Sequence, residues 1–343
     1  MTTTTMPAPA GAVDALRRMR IGPYLFVAAL AVVVFVAIGP DQFVNALTVG
    51  AIYALVALGY TMVYGIIELI NFAHGDVFMV GAFTAMFVLT SMLGQDPNAS
   101  ATSLPQALFL ILTTFAIVMP VMGLLGVAIE RFAYRPLRNA PRLAPLITAI
   151  GISFILQNIV QIIYGPSPVN TPQVIPPTAT IQIGEFSIRI VVLFVIAVSV
   201  SLMIALQLFV SRTRLGRAMR STAQDREAAQ LMGVDINRTI ALTFFIGSGL
   251  AGAAGIVQGF YYGNIVFILG FQAGLKAFTA AVLGGIGNIT GAALGGFVIG
   301  FIETTAAAYG YNQWGQALVF AVLIITLVFR PTGLLGQQLG ERA

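Results

Sequence analysis

Apolar runs long enough to cross a bilayer recur along the whole chain, and they constrain the fold more than any motif does. A helix needs about 20 apolar residues to span the hydrocarbon core. Such runs, separated by charged or helix-breaking residues, fall at 22–39, 43–66, 72–93, 105–129, 144–164, 189–210, 239–262, 266–287, 290–308 and 315–330. Hydrophobic residues make up 58% of the chain and charged residues only 8%, against about a quarter charged in soluble domains. The chain therefore reads as an all-α polytopic membrane protein of ten transmembrane helices. Eight is the alternative, because the last run is short and 264–308 could hold one crossing plus a re-entrant piece. Residues 1–20 read as a cytoplasmic tail, 21–335 as the transmembrane domain and 336–343 as a second cytoplasmic tail. Arginines ahead of the first run could mark a signal peptide. The run from Ile21 to Ile38 is too long for a typical signal core, and no small-x-small site follows, so a retained span is expected.

The basic residues set an orientation. With the N-terminus inside, cytoplasmic segments collect Arg17, Arg18 and Arg20, then Arg131, Arg135, Arg138 and Arg142, then six arginines in 212–238, then Arg330 and Arg342. That is fifteen of the 17 basic residues. The outer segments 94–104, 165–188 and 309–314 have none, while Arg189 sits at an outer helix end and Lys276 inside a run. The positive-inside bias thus puts both termini in the cytoplasm and makes the span number even. The outer segment 165–188 carries five prolines and reads as an extended external loop, either a linker or a docking surface.

Composition also excludes function classes. There is no cysteine, hence no disulfide framework, iron–sulfur cluster or thiolate metal site. No GxxxxGK[ST] pattern occurs, so the chain has no phosphate-binding loop of its own. No basic, aromatic-rich patch suggests nucleic acid. The glycines of 284–300 recur at four-residue spacing (Gly287, Gly291 and Gly295, then Gly296 and Gly300), as close helix packing requires.

Two short stretches echo each other. "NFAHGDVFMVGAFTA" (71–85) opens the third run and "GFQAGLKAFTAAVLGG" (270–285) the eighth. Each has Phe, Gly three residues on, and a charged residue within two more. They start at opposite faces, as two inverted five-helix repeats would require. Two unrelated Gly/Ala-rich helix starts would look the same. Ionisable residues inside the runs are Glu68, His74, Asp76, Lys276 and Glu303. Each costs about 2.5–3.5 kcal/mol at a helix centre and needs a reason to be there. Asn71, His74, Asp76, Gln272 and Lys276 are candidates for lining or gating a substrate path. His74 and Asp76 could instead be solvated at the inner interface. Lys276 lies on the order of 9 Å deep. It could snorkel outward, meet a buried acid or helix end, or meet an anionic group of a substrate. Glu303 is expected to face other helices or the nearby loop.

The densest charge is in "RSTAQDREAAQLMGVDINR" (220–238), within a cytoplasmic loop 211–238. Thr222 as N-cap, helix formers from Ala223 to Met232 and a stop at Gly233 predict one short helix. Ala228, Leu231 and Met232 would share an apolar face flanked by Arg226 and Glu227. That face could lie on lipid headgroups or plug a groove in a cytoplasmic partner.

Within that helix "EAAQLMG" (227–233) resembles the EAA motif of ABC importer permeases. "NALTVGAIYALVALGYTMVYGIIELINFAHGDVFMVGAF" (45–83) and "GLKAFTAAVLGGIGNITGAALGG" (274–296) are similar to the LivH-type permeases of branched-chain amino acid importers. The likeness runs over roughly 40–330 and leaves out the Thr-rich N-terminal tail and the Pro-rich outer loop. It implies a type II ABC importer-like permease subunit of the cytoplasmic membrane, working by alternating access, with no ATPase activity and no bound cofactor. ATP and Mg would be used by two cytoplasmic ATPase subunits. A second related permease subunit, the same chain or another, and an extracytoplasmic substrate-binding protein would complete the assembly in the bilayer. In that setting Thr222, Arg226, Glu227, Ala228, Ala229, Leu231, Met232 and Gly233 would form the coupling contact with the ATPase. Leucine, isoleucine and valine are the implied substrates, and similar permeases carry urea, short amides or sugars. A stand-alone carrier or channel is the competing class, although no string of carboxylates lines several runs. A membrane enzyme is disfavoured by one histidine, no cysteine and scattered acids.

Overall fold

The computed structural model describes residues 21–336 apart from 139, 142 and 185. Both expected tails therefore lie outside the described residues, except Gly336. Inside a bilayer every backbone polar group must be bonded within the protein, which favours helices. Eight helical segments among the described residues are long and apolar enough to cross a membrane.

The first, α1 (Gly22–Ile67), is 46 residues long. A straight helix of that length would measure about 69 Å, over twice the roughly 30 Å hydrocarbon core. It is broken at Gly39 (φ 76°, ψ 171°), just before Pro40. The chain folds back there. The Phe35 and Phe43 rings meet edge-on at 5.4 Å. Both ends of α1 also lie beside the same segment: Gly22 lines a groove with Leu283 and Gly333–Gly336, while Gly287 Cα is 3.1 Å from where a Cβ on Gly65 would sit. The halves before and after Gly39, α1a and α1b, correspond to the first two apolar runs.

Next come α2 (Ala73–Phe87), prolonged by a π-helical turn to Met92, α3 (Leu104–Ile129), α4 (Leu143–Tyr164) and α5 (Ile190–Arg212). Two short helices follow, α6 (Arg214–Gln224) and α7 (Arg226–Leu231). The chain ends with α8 (Ile236–Tyr262), α9 (Leu269–Gly284), α10 (Ile289–Ala308) and α11 (Gly315–Phe329). At 16 residues, α9 is about 24 Å long, shorter than the core is thick. The segment 264–288 that holds it is nonetheless not re-entrant: it leads from Gly263, bonded to Thr171, to Asn288, bonded to Leu335 at the opposite end of the helices. The Pro-rich loop is not purely extended: β1 (Val169–Asn170) pairs with β4 (Asn264–Ile265), and β2 (Thr180–Ile183) forms a hairpin with β3 (Phe186–Arg189).

Helix ends gather on two faces. On one, Tyr134 donates to Ile70 O (3.1 Å), Arg226 to Ile66 O (3.0 Å) and Asn288 to Leu335 O (2.9 Å). On the other, Ala101 N–H bonds Val174 O (3.2 Å) and Thr171 N–H bonds Gly263 O (3.0 Å). Every arginine among the described residues lies on the first face except Arg189, which stands over the Tyr261 ring.

At the centre, α1b packs along α10, and α8 packs along α3. Likewise α9 contacts α1 where α2 contacts α8, and α1 meets α8 while α2 meets α9. These contacts are backbone-close. A Cβ on Gly300 would lie 2.5 Å from Gly50 Cα, and one on Gly296 the same distance from Ala54 Cα. Without a hydrophobic drive between helices in lipid, such close packing carries the association. Gly300→Val should destabilise the protein by about 1–3 kcal/mol through overpacking. Gly151→Val, where a Cβ would have nothing within 4 Å, should not. Thermal unfolding in detergent compares the two.

Candidate functional site

The charged loop is built from two helices, where one was expected. Thr222 does not cap: it lies inside α6, buried, with its hydroxyl bonded to Ala218 O at 2.8 Å. The break comes at Asp225, in extended conformation (φ −155°, ψ 113°). Its Oδ1 accepts from Glu227 N (2.9 Å) and Ala228 N (3.0 Å), making Asp225 the N-cap of α7. A carboxylate caps more strongly than a threonine hydroxyl already satisfied in its own turn. Gly233 stops α7 as expected, at φ 84°. On the tip, Leu231 and Met232 are 88% and 85% exposed, whereas Ala229 is buried against the body. Glu227 and Ala228 face outward with them.

Arg226 points the other way. Its guanidinium donates to Ile66 O at the end of α1b. Tyr134 holds Ile70 O, four residues on. Beside them the buried Glu130 accepts from Arg135 (3.2 Å) and from Arg138, which also donates to Asn237 (2.6 Å) near the start of α8. Glu130 and Tyr134 escaped the sequence reading; an acid closing an apolar run just before three arginines is the signal that could have found them. The loop and the turn that follows α3 thus both grip the link Ile66–Ile70, and that link leads into α2.

Asn71, His74 and Asp76 come together at the start of α2, and all three are buried. Solvation at the interface is therefore not what keeps His74 and Asp76 there. The His74 ring packs edge-on against Tyr60 at 4.7 Å. Asp76 accepts hydrogen bonds from Ser153 and from Gln157 (3.1 Å), both on α4. It lies in the first turn of α2, where the helix dipole stabilises a carboxylate by about 1 kcal/mol. The first turn of α9 presses on the same place. A Cβ on Gly75 would lie 2.7 Å from Gly274 Cα, and one on Gly270 would lie 2.7 Å from Asp76 Cα.

Lys276 and Gln272 form a separate group. Lys276 neither snorkels nor meets Asp76. It pairs with Glu303 on α10 at 2.5 Å and donates to Tyr53 OH at 3.2 Å, while Tyr53 donates to Glu303 at 2.8 Å. Lys276 and Tyr53 of this triad line a small pit of about 60 Å³ between α1b, α8 and α9, with Gln272 and Gln258 also in its wall; Glu303 is bonded to both but is not itself in the wall. Of the five path candidates, three are thus sealed in the core and two line a pit.

Comparison with known proteins bears on this arrangement. The profile of the family described as branched-chain amino acid transport system, permease component, matches residues 42–327. The chain is 46% identical to the high-affinity branched-chain amino acid transport system permease protein BraD of Pseudomonas aeruginosa, over 88% of this chain and 97% of that one. It is 41% identical to the permease protein LivH of Escherichia coli K12, with the same coverage. It is 27% identical to a probable LivH of Methanocaldococcus jannaschii, over 82% of this chain and 88% of that one. No solved structure matches it.

Asp225→Ala should loosen α7 by about 1 kcal/mol, the usual worth of an N-cap. Hydrogen exchange of the amides of 226–232 should quicken, while those of α8 stay protected.

Proposed function

Because the chain belongs to the family of permease components of branched-chain amino acid transport systems, we propose that it is the membrane-spanning subunit of an ATP-driven importer of leucine, isoleucine and valine. It is a transport component and not an enzyme. The observation that carries the coupling mechanism is the capped α7, with its apolar tip outward and Arg226 fixed to the end of α1b.

The arginine-rich face is cytoplasmic, by the positive-inside bias. Both termini lie on that side of the cytoplasmic membrane, and α1a, α1b and α9 bring the helices to ten. The paired contacts of α1b with α10 and α8 with α3 support two inverted repeats in a type II arrangement. Two ATPase subunits, holding ATP and Mg, take up the tips formed by Glu227, Ala228, Leu231, Met232 and Gly233. Thr222 and Ala229 root the tip in the body. A second related permease subunit completes the membrane part, and an external binding protein delivers substrate. Coupling needs a contact that differs between two states of the assembly. When the ATPases close, α7 moves, and Arg226 and Tyr134 carry the displacement through Ile66–Ile70 to Asn71, His74 and Asp76. Those residues sit where α2 and α9 meet, and so they gate the path.

Reconstitution with the partner subunits tests this. Leucine, isoleucine and valine uptake should require ATP; uptake by this chain alone, driven by a gradient, would replace the importer with a carrier. ATP-driven uptake of urea in place of leucine would change the substrate. Ala228→Glu and Gly233→Asp should leave the protein inserted but unable to co-purify with its ATPases. Arg226→Ala should assemble normally yet lower uptake per ATP by about tenfold, the worth of one charge-assisted hydrogen bond.

A further inference from the structure

We propose that the pit beside Lys276 is a station for the charged head of an α-amino acid, with Glu303 receiving the ammonium and Lys276 the carboxylate. This rests on the importer reading and adds a site to it. The pit lies on the outer half of the helices, between the start of α1b, the end of α8 and the first turns of α9. Below it the path closes where Gly274 meets Gly75 and Tyr60 meets Phe278. A solute arriving from the face opposite the arginines therefore reaches the ion pair before it reaches the seal.

Lys276 faces the pit, and Glu303 adjoins it through its bonds to Lys276 and Tyr53. The Lys276 and Glu303 side chains keep 15% and 23% of their surface exposed. Lys276 has three donors and spends them on two partners, Glu303 and Tyr53. Each Glu303 oxygen accepts one hydrogen bond here, from Lys276 or from Tyr53, and keeps acceptor capacity. One spare donor and two partly used acceptors match a carboxylate and an ammonium. Val49, Ile52, Leu269 and Ala273 in the same wall offer apolar surface for a branched side chain.

Charge balance gives the selectivity. Lysine plus glutamate is neutral, and so is a zwitterion, so every charge has a partner both before and after the solute enters. A solute with a single charge would leave one member of the pair without its counter-charge in a poorly hydrated place, which disfavours it.

Cysteine protection tests the station, since the chain has no cysteine of its own. Gln272→Cys is assembled with its partner subunits in nanodiscs, without binding protein, and labelled with a membrane-impermeant maleimide read on this chain. Leucine at about twice its Kd should slow labelling roughly threefold. 4-Methylpentanoate, which lacks the amine, and 3-methylbutylamine, which lacks the carboxylate, should not. Adding Lys276→Gln with Glu303→Gln, which removes both charges together, should abolish protection while the complex stays monodisperse. A pair that only staples α9 to α10 would leave protection intact in that variant. Should the double replacement not fold, the analogue comparison in Gln272→Cys alone decides. No protection by leucine, equal protection by a singly charged analogue, or protection persisting in the double variant overturns the proposal. ATP-dependent uptake by the same preparation, with binding protein added, is scored separately. Uptake without protection rejects the station alone, and protection without uptake rejects the importer alone.

Discussion

Two short helices meet at their N-terminal ends inside the core, and the rest of the molecule is arranged around that contact. The first turns of α2 and α9 touch through Gly75, Gly270 and Gly274, where a single Cβ would collide with backbone. Neither start could lie so deep unless other helices surrounded it, and α1b, α8 and α4 do so. The contact also fixes the chemistry. It holds Asp76 against Ser153 and Gln157 on one side. On the other side it turns Lys276, two turns along α9, toward Glu303 and Tyr53.

Mechanical consequences follow from how α2 is reached. Its start is separated from the end of α1b by the link Ile66–Ile70, and that link is held from the arginine-rich face by Arg226 and Tyr134. A displacement of α7 thus has a short, hydrogen-bonded route to the middle of the membrane. The Glu130, Arg135 and Arg138 cluster stiffens the same region by tying the end of α3 to Asn237. The pit at Lys276 lies beyond the seal, on the opposite side. A solute waiting there and a force arriving through α7 would meet at one place, the α2–α9 crossing.

Much of this was legible in the sequence, and what was not has physical reasons. Helix positions follow from apolar runs bounded by Gly, Pro and arginine. The split of α1 could be read from Gly39–Pro40, because a left-handed glycine before proline ends a helix whatever the tertiary setting. The length of α9 could not, since an apolar run looks the same whether all of it is helical or its first residues are not. In the charged loop the stop at Gly233 was right and the start was wrong. Thr222 and Asp225 are both good caps, and only the packing of α6 decides which one the chain uses. The Lys276–Glu303 pair was legible as two residues that needed partners, but not as partners of each other, because they lie on different helices. Tyr53, Ser153 and Gln157 carry no mark in an apolar helix until the fold brings a charge beside them. The β1–β4 pairing joins segments nearly a hundred residues apart and leaves no local trace.

The central claim is that movement of α7 reaches the start of α2 through the link Ile66–Ile70. Hydrogen exchange across 66–76 in the assembled transporter, with and without ATP on hydrolysis-deficient ATPase subunits, measures this directly. The account predicts that ATP changes the exchange of 226–232 and of 66–76 together, and that Arg226→Ala confines the change to 226–232. An ATP response in 226–232 that leaves 66–76 untouched in the unmodified protein, or one in 66–76 that ignores Arg226→Ala, would contradict it.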